Sequence, residues 1–146
     1  MEALHLKRKN ITIVLLDIEA MYPSIKFKAV KQAVNYFGRN LSDESKITVE
    51  KCLELVKFGM GHTLVQFRGK YFEYGGSEDP NERGLTIGGH ESAWLADLVA
   101  AYALEKSEDL FEESKFDGMY RDDGFVVFEG IKETEELVAW LKNFQS

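Results

Sequence analysis

The stretch MYRDDGFVVF, residues 119–128, decides how this chain is read. It sets two adjacent acids, Asp122 and Asp123, between short apolar runs. Two readings are open. In one, Asp122-Asp123-Gly124 is a hairpin turn, because Asp and Gly tolerate the backbone angles that tight turns need. In the other, the carboxylates stand at the turn to hold a divalent metal. The flanking runs, KFDGMY (115–120) and GFVVF (124–128), read as the two strands of a hairpin in either case.

Working outward, NITIVLLD (10–17) is β-branched, apolar and ends on Asp17, so it reads as a buried strand. Residues 24–38 have helical spacing at Ile25, Val30, Val34 and Phe37, with Ser24 as N-cap and Gly38 as stop. Residues 42–60 form a second amphipathic helix, with Ile47, Leu53 and Val56 on one side. TLVQFRGKYFEY (63–74) reads as a hairpin turning at Arg68-Gly69-Lys70, and GGSEDPNERG (75–84) as a polar loop. Residues 90–108 make a helix that is apolar almost all round and so expected to be buried. Residues 132–144 form a last amphipathic helix, and Trp94 and Trp140 read as core. Strands and helices are mixed without βαβ alternation. The expected class is α+β, an antiparallel sheet with helices on one face.

The chain has 146 residues, 45% hydrophobic and 29% charged, which suits one globular domain over 1–146. Its one cysteine, Cys52, excludes an internal disulfide and fits a reducing compartment. No apolar run is long enough to span a membrane, and MEALHLKRKN lacks the apolar core of a signal peptide. An intracellular location, cytoplasmic or nuclear, is expected. A net charge of −7 argues against a free-standing nucleic-acid binder. His5, His62 and His90 lack metal-ligand spacing, and no nucleophile elbow or phosphate-binding Gly loop is present.

Asp17 alone reads as a cap or turn acid. If its strand lies beside the second hairpin, however, Asp17 and Asp122 meet at one edge of the sheet. Carboxylates clustered there repel unless a divalent cation binds them. Mg²⁺ suits such a place, since it takes hard oxygens and shares its shell with substrate phosphates.

Three boxes, LLDIEAMYPSI (15–25), RGLTIGGHESAWLADL (83–98) and YRDD (120–123), resemble in order the palm motifs of reverse transcriptases. The hairpin, Gly-rich loop and helix from Phe67 to Leu98 are similar to those of group II intron maturases, retroelement enzymes and Penelope-like enzymes. The resemblance runs from about Ile11 to Phe128. It implies a polymerase palm with a ferredoxin-like core, an RNA-directed DNA polymerase that joins nucleotides to a primer 3′-OH. It implies two Mg²⁺ ions (Mn²⁺ as substitute) on Asp17, Asp122 and Asp123, with the Ile18 carbonyl as a further ligand. Tyr22 matches a steric gate that favours deoxynucleotides. Ile87, Gly88 and Ser92, in the Gly84–Ser92 loop and helix start, match positions that face nucleotide and template.

Some positions depart from the family pattern. Ile87 stands where many relatives carry Gln or Met, Ala93 where Pro is usual, and SEDPNE (77–82) is an acidic insertion. The implied partners are an RNA or DNA template with its primer, deoxynucleoside triphosphates, and a fingers and thumb in cis or trans. Those parts would carry the basic surface, which reconciles the acidic charge with nucleic-acid work. The strand expected after the last helix is also absent, which would leave an open sheet edge.

A second reading from another class is a palm remnant, or a module completed by a partner, that binds nucleic acid without catalysis. A family B DNA polymerase fragment is a weaker third. DIEAMYPSI resembles that family's first motif, but its Asn-Ser-x-Tyr-Gly helix and Asp-Thr-Asp box are missing.

Overall fold

The computed structural model describes residues 10–74 and 77–145, so His5 and the Gly75-Gly76 start of the polar loop lie outside the described residues. The chain is α+β, and it divides into two compact units. One is built from the two ends of the chain, up to Glu19 and from Leu104 on; the other is Ala20–Ala103.

The first unit is organised by a three-stranded antiparallel sheet of β1 (Ile11–Asp17), β4 (Ser114–Tyr120) and β5 (Asp123–Glu129) in the order β1-β5-β4. β1 and β5 carry continuous apolar runs, 13–16 and 125–128, whose β-branched and aromatic residues favour the extended chain and put apolar side chains on both faces. On one face Val126 and Phe128 of the central strand are buried. Trp140 of α6 (Thr134–Gln145) packs edge-on against Phe128 and against Phe111 of α5 (Glu108–Phe111), with ring centroids 5.6 and 5.9 Å apart. The other face carries Ile13, Leu15 and a stacked Phe116–Phe125 pair, all exposed. Residues 10–17 thus hold the expected strand but not a buried one: no residue of β1 is buried. Within this unit the helices therefore cover one side of the sheet, as the α+β reading expects. Thr12 closes the far end: its hydroxyl donates to the Gly130 carbonyl and accepts from the Lys132 N–H.

The second unit holds α1 (Met21–Ser24), α2 (Phe27–Phe37), α3 (Asp43–Gly61) and a separate hairpin, β2 (Leu64–Phe67) with β3 (Lys70–Glu73). α4 (Ser92–Lys106) follows. The hairpin turns at Arg68 and Gly69, both at positive φ. Val30, Ala33, Leu53, Met60 and Leu85 form its core.

Several expectations are corrected. Ser24 ends α1 and does not cap α2; Lys26 stands at that N-cap, and its Nζ donates back to the Pro23 carbonyl and not to the helix. The reason is Tyr22-Pro23, which starts a separate short turn ahead of α2. Ser42, in contrast, caps α3 by accepting from the Ser45 N–H. Ile47 does not lie on one side with Leu53 and Val56 as expected. It is exposed, because at about 100° per residue it falls about 120° round α3 from the buried Leu53, and the covered stripe is Val49, Leu53, Val56 and Met60.

Trp94 is 78% exposed, not core. α4 is apolar on every side, so periodicity does not say which face is covered. Its buried positions are the small residues Ser92 and Ala96, one turn apart, where neighbouring backbone can come close. Finally, the second hairpin turns at Arg121-Asp122, one residue earlier than the Asp122-Asp123-Gly124 reading. Gly124 is a buried strand residue, where an added Cβ would lie 3.3 Å from that of Leu16.

Candidate functional site

The acids come together through strand register. β1 runs antiparallel to β5, and Asp17 is the register partner of Asp123. Asp123 is in turn the partner of Tyr120 on β4, which leaves Asp122 in the two-residue turn. The chain just past β1 is tied to that turn, as the Ile18 N–H donates to the Asp122 carbonyl at 2.9 Å. All three carboxylates face solvent. Arg121 holds the turn at φ 57°, a left-handed angle that a residue with a Cβ adopts at a cost of about 1–3 kcal/mol. Its guanidinium lies over the Tyr120 ring, 5.6 Å from the centroid.

Like charges set directly across a sheet destabilise it. This end of the sheet therefore carries a cost that a cation would remove. Mg²⁺ takes one or two carboxylates and completes its shell with water and phosphate oxygens, so the hard donor set here suits it. Among the described residues no three His, Cys, Asp or Glu side chains converge into a ready-made metal group. On the helix-covered side of the same acids lies a cavity of about 470 Å³, lined by Leu16, Asp17, Met119, Gly124, Val126 and Leu141 among others.

The other sequence-singled residues belong to the second unit. Tyr22 is half-buried, and its carbonyl accepts from the Leu85 N–H at 2.9 Å. Gly84 bridges Lys26 and lies so close to Pro23 that an added Cβ would fall 2.0 Å from the Pro23 carbonyl oxygen. Two distant boxes of the sequence, MYPS (21–24) and GLTIGG (84–89), are thus locked backbone to backbone. Beyond that clasp Ile87 and Gly88 are exposed, Gly88 at φ 90°.

Ser92 opens α4 and is 1% exposed, yet among the described residues its hydroxyl has no hydrogen-bond partner. The close approach of Gly89 explains its position, since a Cβ there would meet the Ser92 Oγ at 2.4 Å. A buried hydroxyl without a partner costs about 1–3 kcal/mol, which a bound group with a polar atom could offset.

Sequence reasoning missed Arg83. It is buried, and it donates from Nε to the Ser77 carbonyl at 3.0 Å, from one terminal nitrogen to the Gly61 carbonyl, and from the other to Glu73 at 3.1 Å. One guanidinium so ties the end of α3, the acidic loop and the hairpin together. The only signal for it was an Arg beside a Gly at the end of a polar loop, which by itself says nothing of burial.

No protein-family model matches the chain, and no curated protein sequence matches it. Among solved structures, an apo telomerase from Candida tropicalis, truncated from its C-terminal domain, superposes with a TM-score of 0.54 at 10% identity. The match covers 92% of this chain and 26% of that one, so the chain spans about a quarter of the telomerase's length. The likeness is one of fold: α+β, with a small antiparallel sheet of the palm kind. Among the described residues no helix is long and apolar enough to cross a membrane.

Proposed function

We propose that the chain is the palm of a reverse-transcriptase-like polymerase. Its reaction is the joining of deoxynucleoside triphosphates to a primer 3′-OH on an RNA or DNA template. The observation that carries this reading is the β1–β5 register, which sets Asp17 opposite Asp123 with Asp122 in the adjoining turn. The palm-like fold supports it, as does the order of the three sequence boxes.

Asp17, Asp122, Asp123 and the Ile18 carbonyl would hold two Mg²⁺ ions, with Mn²⁺ as a substitute. Bound there, such ions would lower the pKa of an attacking hydroxyl and neutralise charge on a leaving pyrophosphate. The chain's own share is positioning. The β1–β5 ladder sets the backbones of Asp17 and Asp123 opposite each other, with Asp122 in the adjoining turn, so their main-chain positions need little rearrangement to receive a substrate. Tyr22 is assigned the sugar gate, its main chain fixed by the Leu85 N–H. Ile87, Gly88 and Ser92 are assigned to nucleotide and template contact. A fingers and a thumb, in cis or in trans, supply the basic surface.

The test is calorimetric titration of Mg²⁺ or Mn²⁺ into the native chain and Asp122→Asn, with and without a deoxynucleoside triphosphate. The reading expects binding that needs Asp122 and tightens with nucleotide. Binding indifferent to Asp122, or none, would leave the acids as turn residues and the chain as a non-catalytic module.

A further inference from the structure

The β2–β3 hairpin is an odd element for a soluble domain. All eight of its strand residues are exposed. The register divides them between two faces: Val65 stands opposite Phe72 and Phe67 opposite Lys70, while Leu64 pairs with Glu73 and Gln66 with Tyr71. The first face is an open aromatic surface, with Phe67 61% and Phe72 51% exposed. It ends at a positive tip. Arg68 lies over the Phe67 ring, 5.2 Å from the centroid, and Lys70 follows across the turn. Among the described residues neither cation has a carboxylate partner, and the acid at the hairpin's base, Glu73, is held by Arg83.

The base is rigid as well. The Tyr74 N–H donates to the Thr63 carbonyl at 2.8 Å, and the Thr63 hydroxyl donates to Gly59 in α3. A chain of net charge −7 has therefore placed two cations, without carboxylate partners among the described residues, beside two open rings. An apolar peptide would cover the rings and strand the cations. A partner with flat π-faces joined by regularly spaced anions satisfies both.

We propose that this face of the hairpin binds single-stranded nucleic acid, with unpaired bases stacked on Phe67 and Phe72 and backbone phosphates at Arg68 and Lys70. Base–aromatic stacking tolerates any sequence, and flanking cations follow the backbone. The inference deepens the polymerase reading by naming where the unpaired strand lies. Its test needs no divalent metal, so a negative metal titration and a negative strand titration are separate results.

The experiment is fluorescence anisotropy of a labelled oligouridine and a labelled oligothymidine at low salt, with EDTA present, against the native chain and three variants. Phe67→Leu and Phe72→Leu keep an apolar side chain at an exposed site but lose the ring, and far-ultraviolet circular dichroism checks their fold. Each should weaken binding roughly 5- to 100-fold. Arg68→Asn together with Lys70→Gln suits the left-handed turn and removes two phosphate contacts. It should lower the slope of log affinity against log salt by about 1.4. Binding by the native chain that is unchanged in Phe67→Leu and Phe72→Leu would overturn the proposal. So would equal affinity for a blunt duplex, or no binding to either strand.

Discussion

Gly84→Ala adds a single methyl group at a place where two backbones touch. Its Cβ would lie 2.0 Å from the Pro23 carbonyl oxygen and 2.5 Å from the carbonyl carbon. Neither partner is a side chain that can swing away. To reach ordinary contact at roughly 3.5 Å, the 84–85 segment and Tyr22-Pro23 must part by about 1.5 Å. At that separation the 2.9 Å bond from the Leu85 N–H to the Tyr22 carbonyl is lost, and so is the bridge between Lys26 and Gly84. Two hydrogen-bonded contacts at about 1 kcal/mol each, with about 1–3 kcal/mol of overpacking next to buried Leu85, give about 3–5 kcal/mol.

For a chain of this length each kcal/mol moves Tm by about 2–4 °C, so a fall on the order of 10 °C is expected in thermal unfolding followed by circular dichroism. Gly59→Ala is the matched control. That glycine lies inside α3, and its nearest neighbour is Glu91 at an ordinary 3.8 Å. Alanine there should raise stability by about 0.5–1 kcal/mol. A Gly84→Ala protein that melts within about 2 °C of native would refute the clasp, because no local adjustment relieves a backbone contact that close.

Three further outcomes are expected. Arg83→Met leaves the Gly61 and Ser77 carbonyls without their donor and should cost about 2–4 kcal/mol in chemical denaturation, while Glu73→Gln, at an exposed position, should cost less than 1 kcal/mol. In metal-free buffer Asp123→Asn should stabilise the chain by about 0.5 kcal/mol through relief of repulsion from Asp17. That gain should shrink as salt is raised and reverse in Mg²⁺ if the native acids bind it. The Asp79 carboxyl accepts from the Asn81 N–H, which holds its pKa below the usual carboxylate value. Its contribution to loop order is present above the ordinary carboxylate range and lost as pH falls through the lowered value; a carboxyl carbon titration by NMR that shows Asp79 at or above an ordinary Asp would contradict this.

The elements were legible in the sequence where local chemistry acts alone. The first strand, both hairpins and the α3 and α6 helices follow from periodicity and turn residues. Periodicity failed at α4, where apolar residues on all sides hid the fact that the small Ser92–Ala96 face is the covered one and Trp94 is not. It also failed at Ser24, where the turn made by Tyr22-Pro23 displaced the start of α2. Arg83 could not have been found, because its three acceptors lie as far as 22 residues away along the chain.

By itself the sequence determined which residue types were available: acids at the end of a strand and in a hairpin turn, a Tyr-Pro corner, a glycine loop and a helix start. Those follow from side-chain chemistry within a few residues. Only the tertiary structure decided that Asp17 faces Asp123 and not Asp122, since that depends on the register of β1 against β5 across more than a hundred intervening residues. Only the structure decided that Gly84 must be glycine, because the atom it spares belongs to Pro23. Register and close approach are properties of pairs distant in the chain, and no window of sequence contains both partners.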